Sequence, residues 1–415
     1  MTQPFPRQRG VGTSPAAATE LGEGVRLSFV LVTTMAAGPV VQYAIASLGP
    51  LITTELHISP VQFGLLPAVF AASAALASPA TGAVLRRLGS RSVARWLMIL
   101  AAVALLLAAA APGYLWLMPA VVLAGISMGG SNPTTNDLVT RSATGPRRGL
   151  LVGVKQSGVN GGILVAGSLL PLLAVDWGWR PALASAVVWP ALGVLWLGRT
   201  RVADVADRPG AASRAAASQP VRHLVSWLAL YSLLMGGAAA AAGMYLPLFA
   251  FDVLEMSASA AGLTTGVLGL VGMASRLIWA HRSQRYTDIV HLLIFFSAGA
   301  AVTSLAMTRI DLLGSRGLFV GTAVFAMFSS SWLAVMMVAI VQHIPASSSA
   351  WVTGAVMMGF YVGFMIGPPL FGVLATSTVG YAGAWSGSAL ACALATILAV
   401  RGRGAFLRVP PEPMV

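Results

Sequence analysis

Long apolar runs alternate with short polar clusters from about residue 26 to residue 400, and no Asp, Glu, Lys or Arg occurs between residues 317 and 400. A helix needs about 20 predominantly apolar residues to cross a hydrocarbon layer. The runs predict twelve such helices, at roughly 26–50, 61–85, 94–112, 115–139, 149–173, 181–198, 223–249, 259–280, 289–308, 317–341, 349–376 and 381–400. Several runs hold two spans joined by a short turn. The expected fold class is an all-α membrane protein with twelve transmembrane helices.

The longest polar segment, residues 199–222, divides these spans six and six. It separates an N-terminal bundle, 25–198, from a C-terminal one, 223–401. Residues 1–24 read as a disordered tail and residues 402–415 as a second tail. A shift of 198 residues lays Ser59 on Ser257, Gly64-Leu65 on Gly262-Leu263 and Arg87 on Arg285. A shift of about 201 lays Gly153, Gly158 and Gly162 on Gly354, Gly359 and Gly363. The two bundles are therefore expected to be pseudo-symmetric.

Small residues recur at helical spacing. The fifth span carries Gly149, Gly153, Ser157 and Gly161, and a second row Gly158, Gly162 and Ala166; the eleventh carries Gly359, Gly363 and Gly367; the second carries Ala74, Ser78 and Gly82. Lipid gives helices no hydrophobic reason to associate, so close packing through small side chains supplies the contact. Pro67, Pro79, Pro171, Pro368 and Pro369 are positioned to bend the same helices.

Composition narrows the classes. Hydrophobic residues make up 57% of the chain and the mean hydropathy is +0.81, values that exclude a soluble domain and a disordered chain. The net charge of +13 invites a nucleic-acid partner, but its distribution argues against one. With loops assigned to alternate sides, all basic residues but Arg180, Arg309 and Arg316 fall on one side. This is the positive-inside pattern, and it puts both termini in the cytoplasm of a multi-pass cell-membrane protein. The N-terminus lacks the apolar core of a signal peptide. Cys392 is the only cysteine, so no intramolecular disulfide forms and cysteine metal ligation is excluded. His57, His223, His281, His291 and His343 are scattered near span ends, and neither HExxH nor GxSxG occurs. No metal, cofactor or catalytic residue is expected.

The second polar cluster reads Gly82-Ala-Val-Leu-Arg86-Arg87-Leu-Gly89-Ser-Arg91. It resembles the loop signature of the major facilitator superfamily between its second and third helices. Gly129-Gly130-Ser-Asn132-Pro133, Arg147-Arg148-Gly149, Lys155-Gln156-Ser-Gly158, Gly178-Trp179-Arg180-Pro181 and Gly272-x3-Arg276-x2-Trp279 are similar to bacterial members of that superfamily. The resemblance covers the chain from about residue 25. It implies a monomeric secondary transporter whose halves rock about a midplane site. It also implies a gating role for Gly82, Arg86, Arg87, Gly89 and Arg91, with Asp137 and Arg141 near the following loop. The family's signature Asp, which latches the outward-open state, is replaced by Arg86, which cannot act as that carboxylate. The fourth span, Leu117 to Ser127, also lacks the mid-helix arginine of proton-driven drug exporters, so the cyanate and organic-anion branches look nearer.

Polar residues inside the spans are the candidate site. A charge at the bilayer centre costs about 2.5–3.5 kcal/mol on insertion scales and usually faces a cavity or a partner. Lys155, the only lysine, lies about 9 Å into the fifth helix if that helix starts near Gly149. Arg276 lies near the cytoplasmic end of the eighth, which the resemblance brings against the fifth. Two cations with no deeper acid imply an anionic substrate, because a carboxylate or phosphate offsets their desolvation. Two plainer readings stand. Both side chains snorkel to the headgroups, or Lys155 pairs with Asp137, which is also spaced to pair with Arg141.

Gln42 and Tyr43 sit mid-span in the first helix, Asn132 and Asn136 on the fourth, Gln156 and Asn160 on one face of the fifth, Tyr231 in the seventh, Trp332 in the tenth and Tyr361 in the eleventh. The resemblance implies that helices one, four, seven and ten line the cavity, which favours Gln42, Tyr43, Asn132, Tyr231 and Trp332. Interhelical hydrogen bonding and packing is the competing reading for each. No carboxylate falls at mid-span, so proton coupling is not established by the sequence. The expectation is a transporter of a small solute, with an organic anion as the candidate. Efflux of amphipathic compounds and a non-transporting solute sensor are the alternatives. The lipid bilayer and the solute are the only partners expected.

Overall fold

The computed structural model describes residues 15–142, 145–199, 219–283, 286, 288–343 and 346–406. Among these residues every regular element is helical. The N-terminal half holds α1 (Pro15–Ser47), α2 (Gly49–Leu56), α3 (Pro60–Ala109), α4 (Tyr114–Ser142), α5 (Gly145–Trp177), α6 (Trp179–Ser185) and α7 (Val188–Gly198). The C-terminal half holds α8 (Gln219–Asp252), α9 (Ala258–Ser283), α10 (Ile289–Met307), a 3₁₀ turn at Ile310–Leu313, α11 (Gly314–His343), α12 (Ala346–Thr376) and α13 (Gly380–Phe406). Residues 15–24, expected as disordered tail, are helical. Residues 1–14 and 407–415, and residues 200–218 of the expected linker, lie outside the described residues.

Among the described residues, eleven helical stretches are long and apolar enough to cross a membrane, with α6 and α7 together forming one of them. The fifty residues of α3 would run about 75 Å as one rod, more than twice a hydrocarbon core. They do not. Gly89 has φ 74° and ψ 156°, a backbone region almost reserved for glycine, and it splits α3 into two rods. The break falls between the spans expected at 61–85 and 94–112. The loop expected at 86–93 is one residue wide, with Arg86 and Arg91 helical on either side of the break. Arg91 Nη2 donates to the carbonyls of Leu197 and Gly198 at 3.1 Å each, covering the C-terminus of α7.

The halves repeat in their contacts. Ser59 and Ser257 both start a helix by accepting a backbone N–H three residues on, from Gln62 and Ala260. On α5, Gly158 and Gly162 admit the backbone and side chains of α1 at Val32 and Ala36; on α12, Gly359 and Gly363 admit α8 at Ala229 and Leu233. The first small-residue row on α5 behaves differently, since Gly153 and Gly161 have open space where a side chain would stand.

Two helix pairs make the most extensive contacts between the halves: α5 with α9, and α3 with α12. Gly64 of α3 lies on the Pro368 carbonyl of α12, and Gly262 of α9 lies on Pro171 of α5, so the two seams are related as the repeat requires. Tyr245 of α8 reinforces the closure at this end of the bundle. Its hydroxyl donates to the Pro60 carbonyl, and a Cβ at Gly64 or Gly372 would overlap that hydroxyl. Phe63 and Phe371 flank its ring at 6.0 and 4.8 Å between centroids. The end of the molecule carrying α2 and Glu55 is therefore sealed between the halves.

Candidate functional site

Between the seams lies a cavity of about 90 Å³. It takes Tyr43 from α1, Phe70 from α3, Met128 from α4, Asn160 from α5, Arg276 from α9, Ser329, Ser330 and Trp332 from α11, and Phe360, Tyr361 and Phe364 from α12. Both halves contribute, as a shared midplane site requires. The volume is well below the roughly 300–1,000 Å³ of a drug-sized ligand pocket, so the cavity in this state suits a small solute.

Arg276 carries the charge. Its Nε donates to the Ser330 carbonyl at 3.2 Å, which fixes the plane of the guanidinium. Asn160 sits beside it, because its Nδ2 lies against Gly272, one turn before Arg276 on α9. Asn160 is 3% exposed and its Nδ2 makes no hydrogen bond. Buried amide donors normally find a partner. A buried donor without one, beside a guanidinium and at the wall of a cavity, is a place for an acceptor. Tyr43 and Tyr361 add hydroxyls, and among the described residues no carboxylate lines the cavity.

Lys155 is 1% exposed and lies in a separate cluster between α4 and α5. Its Nζ donates to Asn136 Oδ1 at 2.6 Å, Asn132 Oδ1 at 3.0 Å and Thr135 Oγ1 at 3.2 Å. An ammonium has three N–H groups, so all are used. Asp137 is paired with Arg141 at 2.6 Å, the second of the pairings open to it. Lys155 thus neither snorkels nor meets the carboxylate.

The other expected residues are dispersed. Gln42 donates through Nε2 to Met244 Sδ at 3.2 Å across the two halves, while its Oε1 is buried without a partner. Gln156 is half-buried on α5 and lines no part of the cavity. Tyr231 faces the interior of the C-terminal half, its hydroxyl donating to the Leu293 carbonyl at 2.8 Å and its ring against Trp332 at 5.7 Å. On α8 the cavity position belongs to Ala239. Gly82, Arg86 and Arg87 lie at the surface end of the first α3 rod. The sequence reading missed Phe70, Phe360 and Phe364. The i+4 spacing of the last two was the available signal.

The sequence profile of the Major Facilitator Superfamily matches residues 30–320. The chain belongs to that superfamily. Two solved structures of a bacterial homolog of the human lysosomal transporter Spinster share the fold. The inward-facing, occupied form aligns with a TM-score of 0.71 at 16% identity over 95% of this chain and 97% of that one. The inward-facing, unoccupied form aligns with a TM-score of 0.69 at 16% identity over 97% of this chain and 100% of that one. No curated protein matches the sequence. As a member of the major facilitator superfamily the chain is a multi-pass secondary transporter that moves a small solute by alternating access. Its two halves, its glycine-lined seams and the cavity between them are the parts that such a cycle uses.

Proposed function

We propose that the solute is a small organic anion and that Arg276 is its principal contact. The observation that carries this is the cavity wall itself, where a guanidinium and an unpartnered buried Asn160 amide stand together with no acid opposite. A carboxylate accepts both kinds of donor and offsets the cost of keeping the guanidinium out of water. Tyr43, Trp332 and Tyr361 complete the binding surface. Lys155, held by Asn132, Thr135 and Asn136, braces α4 against α5. The transporter works as a monomer, with both termini cytoplasmic as the placement of basic residues favours. The Tyr245 closure then lies on the extracellular side. Arg91, Gly89 and the arginines around them form the cytoplasmic hinge between the α3 rods.

The test is counterflow of labelled organic anions in proteoliposomes. Arg276→Gln is expected to lower uptake at least tenfold, mostly through a raised KM, while the protein stays monodisperse in detergent. Unchanged uptake of every anion that the parent protein carries would remove the proposal. The apolar remainder of the wall favours a second reading, export of an uncharged amphipathic compound. In that case uptake of the neutral compound would be insensitive to Arg276→Gln.

A further inference from the structure

The cavity has two unlike sides. The α5–α9 seam supplies its charged and amide groups, Arg276 and Asn160, beside Val159, Ile163 and Leu268. The α3–α12 seam supplies Phe70, Phe360, Tyr361 and Phe364, and Trp332 continues that surface from α11. The rings are in mutual contact: Phe70 and Phe364 lie 6.2 Å apart between centroids, Phe364 and Phe360 5.6 Å, Phe360 and Tyr361 5.7 Å, and Phe360 and Trp332 6.3 Å. They form one aromatic wall that starts in the N-terminal half and ends in the C-terminal half.

The charge is single. Lys155 has no N–H left for a ligand, so among the described residues Arg276 is the one charge that lines the cavity, with the Asn160 amide beside it and the hydroxyls of Tyr43 and Tyr361 around them. A second carboxylate on the solute would be driven against the rings, where an unpaired charge is costly. A flat ring suits this wall, because aromatic rings attract one another in tilted and edge-on arrangements at these separations. The small volume argues against a lipid or a polycyclic amphipath.

Resting on the anion reading above, we infer that the transported class is a one-ring aromatic monocarboxylate. Its carboxylate meets the terminal nitrogens of Arg276 and the Nδ2 of Asn160. Its ring lies against Phe70, Phe364, Phe360 and Trp332. Because the wall crosses the two halves, one bound ring touches both, and its contacts change when the halves rock.

The experiment is a thermal-shift and counterflow-competition panel on the purified full-length protein. The probes are benzoate, 4-hydroxybenzoate, phenylacetate, cyclohexanecarboxylate, acetate, phthalate and benzamide. At least one of the three aryl monocarboxylates is expected to stabilise the protein and compete at concentrations tenfold or more below cyclohexanecarboxylate, acetate and phthalate, with benzamide inert. Arg276→Lys keeps the charge but loses the planar fork, and is expected to weaken that probe at least tenfold. Phe364→Leu, a milder change, is expected to weaken the aryl probe several-fold and leave acetate unchanged. If acetate or cyclohexanecarboxylate matches the best aryl acid while Arg276→Lys still weakens all of them, the aromatic assignment fails and the anion reading survives. If benzamide binds as well as benzoate and Arg276→Lys changes neither, both fail. Silence from all three aryl acids up to about 10 mM overturns the assignment.

Discussion

Lys155 illustrates how far a single residue can be read. A lone lysine several residues inside an apolar helix is conspicuous in the sequence, and so are Asn132 and Asn136 one helix earlier. Their convergence is a matter of rotation about two helix axes, and helices that are apolar on nearly every face leave that rotation unspecified by pattern. The same ambiguity explains Tyr231. It is a polar residue on a helix expected at the cavity, yet its hydroxyl is spent on the Leu293 carbonyl and Ala239 lines the cavity instead. The Lys155 cluster makes a stability prediction. Lys155→Met leaves the Asn132 and Thr135 oxygens without their donor, and a buried acceptor left unpaired costs about 1–3 kcal/mol. The midpoint of thermal unfolding in detergent should fall by several degrees. Lys155→Gln, which returns an N–H donor, should recover part of the loss. Equal midpoints for the parent and the Met variant would show that the cluster adds nothing.

At the scale of elements, apolar runs located the rods well because charge is so rarely tolerated between the interfaces. The seams were only half legible. Glycine spacing marked α5 and α12, but it could not reveal that Gly64 and Gly372 leave room for the Tyr245 hydroxyl, since these residues are far apart in the chain. That hydroxyl bonds the two halves only while this end is shut. Tyr245→Phe forfeits one hydrogen bond, a net of about 1 kcal/mol, and so should raise the population open at this end about fivefold. Spin labels at His57 and Ser377, in a Cys392→Ser background, would report it as growth of a longer-distance fraction. An unchanged distance distribution would contradict the latch. A second device at the same end ties α2 to the α5–α6 turn. Glu55 accepts from Trp179 Nε1 at 2.6 Å and pairs with Arg180, which also donates to the Ala111 carbonyl at 2.9 Å. The Trp179 hydrogen bond is the largest effect and outweighs the opposing effect of burial, and Arg180 adds to it, so the Glu55 carboxyl is held below its ordinary range. A lowered carboxyl pKa contributes stability above the ordinary value, and that stability fades as the pH falls through the depressed one. Glu55 is half exposed, so the effect is small. Thermal midpoints of the parent and of Glu55→Gln should differ slightly at neutral pH and converge in acid. A gap of constant size across that range would rule out the carboxylate as its source.

For the whole molecule, the sequence repeat and the two seams tell the same story. Gly64 on Pro368 and Gly262 on Pro171 are one contact made twice, which is how two copies of a bundle meet about a shared axis. The glycine correspondences anticipated this, whereas the cavity's aromatic wall was hidden because Phe70, Phe360 and Phe364 look like lipid-facing residues until the fold turns them inward. The central claim is that the solute occupies this cavity between the halves. Ser329 lines it beside the Ser330 carbonyl that holds Arg276, and the native Cys392 is fully buried elsewhere. The most direct measurement is therefore the rate at which a small water-borne thiol reagent modifies Ser329→Cys in a Cys392→Ser background, with and without the anion that drives counterflow. The account expects modification that a saturating concentration of that anion slows at least tenfold. Modification at an undiminished rate, in a variant that still transports, would mean that the solute passes elsewhere.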